Sequence, residues 1–316
     1  MNEKFPGIMK SKKTVLIILF IVIGLGLFFF YKNYEKRIQT IKSSRALLEK
    51  KRQAWLKLKD ILENKTRHFK GIVSLVVINL DNHWEIALNK DTLIPSASLV
   101  KIPIMLSCFY AAQDDKINLK DTITLKFSDK VSGSKVLGKD PVGSVFTVEA
   151  LIDPMITQSD NAAANILIDC LGFNTLNSYF KKMGLKNTNI ARKMMDFKER
   201  RAGVENYTTA QDMAYLLEEL YYKKFLNKDV SEKCLELLGQ QRINDRIPRK
   251  LPKNGTFIAH KTGLERHICH DVGIVFTNKG NFLICVLVKH ENKFAKPAKK
   301  LISDMALLVY DYYQSF

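Results

Sequence analysis

The sequence has no closely spaced pair of cysteines. There are five, Cys108, Cys170, Cys234, Cys269 and Cys285, an odd number with no C-x-x-C spacing. That excludes the usual structural zinc spacings and leaves at least one thiol free or paired between chains. The five read as small buried hydrophobes. Cys269 does sit beside His267 and His270, but nothing elsewhere supplies the paired cysteines that would complete a structural zinc site, so no metal is expected. Internal repeats and low-complexity tracts are also missing. So is any basic stripe with interleaved aromatics after residue 70, which removes the nucleic-acid reading of a chain with net charge +18. The basic excess is local. Residues 1–70 hold 17 Lys/Arg against 5 Asp/Glu, a net +12, and the other 246 residues share the remaining +6. A segment near anionic lipid accounts for that bias.

What is present begins with an uncharged apolar run at residues 14–31, TVLIILFIVIGLGLFFFY, preceded by Lys10, Lys12 and Lys13. Eighteen residues at about 1.5 Å each give about 27 Å, close to the hydrocarbon thickness of a bilayer. The run ends in Phe28-Phe29-Phe30-Tyr31 without the small residues of a cleavage site, and no cysteine follows for lipid attachment. An uncleaved signal anchor is therefore expected. Lys32, Lys36 and Arg37 follow the span, so charge alone does not orient it. Residues 32–69 lack Pro and Gly and carry Ile38, Ile41, Leu47, Leu48, Trp55, Leu58 and Leu62 at mostly three- and four-residue steps, a helical pattern too irregular for a regular heptad. The expected division is a cytoplasmic tail at 1–13, a transmembrane anchor at 14–31, a helical stalk at 32–54 and a globular domain at 55–316. With 46% hydrophobic residues, the chain can build a sizeable core.

Within the domain, IVSLVVINL and WEIALN flank Asp81-Asn82-His83, and VGIVFT and FLICVLV flank Asn278-Lys279-Gly280-Asn281. Both read as β-hairpins. Helical patterns fill the space between them, and residues 296–315 read as an amphipathic helix. Strands from both ends with helices between predict one antiparallel sheet plus a mainly helical part.

Three short clusters carry chemistry. Ser98-Leu99-Val100-Lys101 precedes the apolar run IPIMLSCFYAA, so Ser98 is expected to open a buried helix with Lys101 on its face, three residues on. A serine hydroxyl needs a base, and a desolvated lysine can be neutral enough to serve. Ser159-Asp160-Asn161 precedes the short helix AAANILIDCLG. It reads as an N-cap, or as a proton relay and an amide-binding group in a cleft. Lys261-Thr262-Gly263 ends the strand-like run TFIAHKTG. It reads as a strand edge with a turn glycine, or as a cation and hydroxyl that hold a carboxylate. Each cluster alone is commonplace.

Their combination, in this order and with these gaps, resembles the S-x-x-K, S-D-N and K-T-G signature of class A β-lactamases and penicillin-binding proteins. The resemblance covers roughly residues 55–316. It includes the hairpin before Ser98, Pro103, TTAQDM at 208–213 and RIPRKLP before HKTG, and the aspartate of Ser159-Asp160-Asn161 favours the class A β-lactamase family. The resemblance implies an α/β sandwich: a five-stranded antiparallel sheet flanked by helices, beside an all-helical region. It also implies roles. Ser98 forms an acyl-enzyme, Lys101 helps activate it, and Ser159 passes a proton to the leaving nitrogen. Asn161 contacts the substrate amide, Lys261 and Thr262 bind the carboxylate beside Gly263, and the backbone N–H groups of Ser98 and Leu264 form an oxyanion hole. No cofactor is implied. The expected partners are a β-lactam or a peptidoglycan stem peptide, and membrane lipid through the anchor. The expected state is a monomer at the bacterial inner membrane with its catalytic domain outside.

One departure concerns the loop NIARKMMDFKERRAGVENY at 189–207. The family places a glutamate there to activate the deacylating water, soon after an arginine. Arg192 fits the arginine, but the glutamate's place falls on Met194, whose thioether cannot act as a base. Asp196 and Glu199 are the nearest carboxylates and stand as the candidate bases. A second departure places His270 or Asp271 where the family often has an arginine, with Arg266 as possible compensation. These gaps keep open a penicillin-binding DD-peptidase or transpeptidase and, more remotely, a non-catalytic domain of the same fold.

Overall fold

The computed structural model describes residues 12–316, and two compact units divide the chain after Lys57. The expected cytoplasmic tail lies outside the described residues except for Lys12 and Lys13. A single helix, α1 (Lys12–Arg67), contains the apolar run. It is long and apolar enough to cross a membrane, with a mean hydropathy of 2.6 over its best 18 residues. Every side chain from Val15 to Arg37 is exposed.

The second unit, Leu58–Phe316, starts with the last turns of α1, which bury Leu58 and Leu62 on one helix face. Burying a leucine contributes about 1.5–3 kcal/mol. Next come β1 (Gly71–Asn79), β2 (Trp84–Leu88) and the two-residue β3 (Ile94–Pro95). A 3₁₀ turn at Ala97–Val100 leads into α2 (Lys101–Gln113). The helical part continues through β4 (Thr122–Thr124), β5 (Val145–Thr147), α3 (Val148–Thr157), α4 (Asn161–Leu171), α5 (Phe173–Lys182) and α6 (Phe197–Arg201). After β6 (Tyr207–Thr208) come α7 (Ala210–Tyr221) and α8 (Lys228–Gly239). The chain ends in β7 (Thr256–Glu265), β8 (Ile268–Thr277), β9 (Phe282–His290) and α9 (Lys296–Gln314).

The main sheet is antiparallel in the order β2-β1-β9-β8-β7, so strands from both ends of the domain meet at β1 and β9, as the two hairpins predict. β9 is buried at eight of its nine positions and β8 at its first eight. That explains why their sequences read as continuous apolar runs rather than alternating ones. Both faces of these strands are covered, and α7 and α9 both pack against them. Side-chain caps start the helices of the helical part: Thr147 for α3, Asp160 for α4, Thr209 for α7 and Asn227 for α8. β7 is one of the two edge strands of the sheet and packs against the turn that carries Ser98.

Candidate active site

Ser98 does not open an α-helix directly. It sits in the 3₁₀ turn one step before α2, and Ala97 ahead of it is held at φ 45°. A non-glycine residue in the left-handed region costs about 1–3 kcal/mol and persists only where its surroundings enforce it. The turn is fastened on two sides. Ser96 N–H donates to Asn206 O at 2.7 Å, and the Pro95 carbonyl accepts from His270 Nε2 at 2.9 Å. Ser98 itself remains half-buried.

One turn later, Lys101 is fully buried. Its Nζ donates to Ser159 O at 2.7 Å and to Asn161 Oδ1 at 2.7 Å, and lies 3.3 Å from Ser159 Oγ. Burial pushes the amine down to about 7, against the opposing charge of Asp160. Ser159 is the second strained residue, at φ 58°. Its hydroxyl also accepts from Lys261 Nζ at 2.9 Å. Two amines therefore flank one hydroxyl. Lys261 is fully buried too. Burial first, and the nearby Lys101 charge second, hold it well below the ordinary lysine range. Two ammonium ions this close repel.

Asp160 supplies the framework. Its carboxylate caps α4 through Ala163 N–H at 3.1 Å and accepts from Val136 N–H at 2.9 Å and Leu137 N–H at 3.2 Å. The capping reading of Ser159-Asp160-Asn161 holds for Asp160, and the side chains of Ser159 and Asn161 both meet Lys101. Asn161 Nδ2 donates to Ser132 O at 2.9 Å, so its carboxamide links Lys101 to the 132–137 segment.

Thr262 is buried, and Leu264 is 48% exposed. A Cβ on Gly263 would stand 3.1 Å from His270 Cδ2 and 3.3 Å from the Ser96 carbonyl oxygen. Glycine therefore lets β7 approach the Ser98 turn.

The loop after α5 is tied down by Asn165, which receives Met194 N–H at 2.7 Å and donates to Met194 O at 3.1 Å. Asn165 lies four residues after Asn161 on α4, hence on the same helix face. The main chain of Met194 is thereby fastened to the residue one helical turn after Asn161, whose amide grips Lys101. Its side chain is buried. Asp196 caps α6 through Glu199 N–H at 3.1 Å, and Glu199 is a half-buried residue of that helix. Arg192 is buried between Glu205 at 2.7 Å and Glu265 at 3.1 Å.

His270 cannot act as the missing cation. Its Nδ1 accepts from Val288 N–H at 3.0 Å, its Nε2 donates to Pro95, and burial pushes it down to about 4. Asp271 is committed to His260 Nδ1 at 2.9 Å and Ile247 N–H at 2.9 Å. Arg266 is exposed at the β7–β8 turn, with its Nε donating to His267 Nε2 at 3.3 Å. The residue that sequence reasoning missed is Arg246. It is 1% exposed, its Nε donates to Cys269 Sγ at 3.3 Å, and its charge is among those that lower Lys261. Nη1 lies 3.0 Å from Asp245 Oδ1 without forming an aligned hydrogen bond. The signal was the first arginine of RIPRKLP, just ahead of HKTG. All five cysteines are free, four buried and Cys170 exposed. Among the described residues no group of three or more His, Cys, Asp or Glu converges as a metal site.

Comparison with known proteins agrees with this geometry. The profile of the family described as "Beta-lactamase enzyme family" matches residues 55–313. The β-lactamase VEB-1 of Pseudomonas aeruginosa is 24% identical over 278 residues, which is 82% of this chain and 89% of that protein. A β-lactamase from Sphaerobacter thermophilus superposes with a TM-score of 0.75 at 26% identity, covering 83% of this chain and 98% of that one. A leucine-to-glutamate variant of PBP-A, solved as an acyl-enzyme complex with penicillin G, also gives 0.75 at 26% identity, over 83% and 97% of the two chains.

Proposed function

The chain belongs to the beta-lactamase enzyme family, and from that membership we propose that it is a serine β-lactamase of the class A kind. The observation that carries this reading is the buried pair of amines flanking the Ser159 hydroxyl, one helical turn from Ser98. Neutral Lys101 takes the Ser98 proton as Oγ attacks the lactam carbonyl. The backbone N–H groups of Ser98 and Leu264 hold the oxyanion. As the tetrahedral adduct collapses, the C–N bond breaks and Ser159 hands its proton to the departing nitrogen. Lys101 returns a proton to Ser159, which leaves a neutral amine and an acyl-enzyme. Lys261, Thr262 and the buried Arg246 guanidinium receive the substrate carboxylate, and Asn161 contacts its amide.

Water must then attack the ester. Asp196 and Glu199 remain the candidate carboxylates for that step. The buried thioether of Met194 favours a second reading, a penicillin-binding DD-peptidase acting on peptidoglycan stems, with a long-lived penicilloyl adduct. The length and apolar surface of α1 support a single-pass anchor, and the β-lactamase reading would set a monomeric catalytic domain on the extracytoplasmic side of the bacterial inner membrane. Turnover of a chromogenic cephalosporin tests the first reading. The enzyme should hydrolyse it, and Ser98→Ala should abolish hydrolysis. Activity retained in that variant rules Ser98 out as the nucleophile, and release of D-alanine from a stem peptide without cephalosporin turnover selects the second reading.

A further inference from the structure

One buried polar chain takes no part in the proposed chemistry. Side chains alternate along a strand, so His260 leaves β7 on the face opposite Lys261. Asp271 stands on β8 across from Thr262. Both are buried. His260 Nδ1 donates to Asp271 Oδ1 at 2.9 Å, and its Nε2 lies 3.0 Å from Asn244 Oδ1. Asp271 Oδ2 accepts from Ile247 N–H at 2.9 Å. β8 leaves room for the imidazole: a Cβ on Gly273 would stand 2.5 Å from His260 Cβ and 2.6 Å from the Ala259 carbonyl oxygen.

The two ends of this chain bracket Arg246. Asn244 is held from β7 and Ile247 from β8. Between them, Asp245 accepts from Lys299 Nζ of α9 at 2.6 Å. That middle link lies at the surface, with Asp245 42% exposed, whereas the two outer links are made by buried side chains of the sheet. Arg246 itself is held loosely. Its Nε donates to a sulfur, a weak acceptor, and its buried Nη1 has no aligned acceptor. A buried guanidinium with so few bonds does not fix its own place. The main chain on either side fixes it, which leaves Nη1 for an incoming carboxylate.

We propose that His260 and Asp271 are positioning residues that hold the main chain on both sides of Arg246 and so keep its guanidinium in place for the substrate carboxylate. The assignment rests on the β-lactam reading of the site. Asp271 serves the same subsite a second way, because its charge partly offsets the burial that lowers Lys261. Without the pair, the main chain beside Arg246 is no longer tied to β7 or β8.

The test uses the full-length protein in detergent micelles, with His260→Ala, His260→Asn, Asp271→Asn, Arg246→Gln and the double variant His260→Ala/Arg246→Gln. Acylation rate constants are measured for benzylpenicillin and for its methyl ester, which lacks only the free carboxylate. Arg246→Gln should lower the acid-to-ester ratio about tenfold, the loss of one charge-assisted hydrogen bond. His260→Ala and Asp271→Asn should lower it by a similar factor. His260→Asn, whose amide can still donate to Asp271, should lower it less. A general loss of folded protein would scale both ligands equally and leave the ratio unmoved. Because His260 acts through Arg246, the double variant should match Arg246→Gln. Alkylation by iodoacetamide, located by peptide mapping, gives a second readout. Cys269 is buried against Arg246, and Cys285 is buried on β9. His260→Ala and Asp271→Asn should speed labelling of Cys269 relative to Cys285, whereas general loosening would speed both. An unchanged acid-to-ester ratio, a further fall in the double variant, or Cys269 labelling that does not outpace Cys285 overturns the proposal. If no penicillin acylates the wild-type protein, the β-lactam reading fails, and the labelling of Cys269 against Cys285 alone decides whether the pair positions Arg246.

Discussion

Lys101 gives the most quantitative prediction. An ordinary lysine at 10.5 is neutral in about one molecule in three thousand at pH 7. Burial pushes Lys101 down to about 7, so about half the molecules carry a free amine there. At about 1.36 kcal/mol per pH unit, the difference amounts to about 5 kcal/mol in favour of the neutral base. A base that must be neutral gives a rate that climbs tenfold per pH unit below its titration point and levels off above it. The rate constant for acylation by a fluorescent penicillin, measured from pH 5 to pH 9, should therefore rise and flatten near pH 7. Lys101→Met keeps most of the length of the side chain and removes the amine. It should lower acylation by about 10²–10⁴, the usual contribution of a general base, and erase the limb near pH 7. If Lys101→Met acylates at the wild-type rate, or slows but keeps a limb near pH 7, some other group takes the Ser98 proton. Lys261→Ala separates the alternatives, since it leaves the limb in place if Lys101 is the base.

Two further outcomes follow from the surroundings of the site. Met194→Glu places a carboxylate on the loop position whose main chain Asn165 holds; it should shorten the acyl-enzyme lifetime by about 10²–10⁴ while costing about 1–3 kcal/mol for the buried polar group. An unchanged lifetime in a folded variant would show that this position does not reach the deacylating water. Burial holds His270 neutral, against the Pro95 carbonyl that favours its proton, and its titration is lowered from 6.5 to about 4. The unfolded chain therefore binds the extra proton first on acidification, and about 3 kcal/mol of stability should be lost as pH falls from 6.5 to 4. Denaturant titrations should show that loss shrinking in His270→Gln; an equal loss in the variant would assign it to other groups.

The sheet was legible because four of its five strands come from two hairpins with clear turn residues and because β8 and β9 are apolar on both faces. The site was legible because Ser98, Lys101, Ser159 and Lys261 lie in short local patterns. What stayed hidden depends on contacts between distant segments. Nothing local to His270 says that Pro95 and Val288 will occupy both its nitrogens. Nothing local to Arg246 says that it will be buried beside Lys261 rather than solvated like Arg266, because burial of a charge is decided by the packing of three separate elements. The 3₁₀ turn at Ser98 was missed for a related reason: the strain at Ala97 is imposed by the bonds from Asn206 and His270, not by the turn's own residues. The ion pairs of Arg192 and Arg200 with Glu265 join a loop to a strand more than sixty residues later in the chain.

The central claim is that Ser98 is acylated by a β-lactam. Intact-protein mass spectrometry of the full-length chain mixed with benzylpenicillin, sampled from seconds to hours and followed by peptide mapping, tests it most directly. The account predicts a mass increase of one penicillin, located on the peptide that contains Ser98, absent from Ser98→Ala and persisting longer in the wild type than in Met194→Glu. A chain that gains no mass and yields no penicilloate, or an adduct mapped to any other residue, contradicts it.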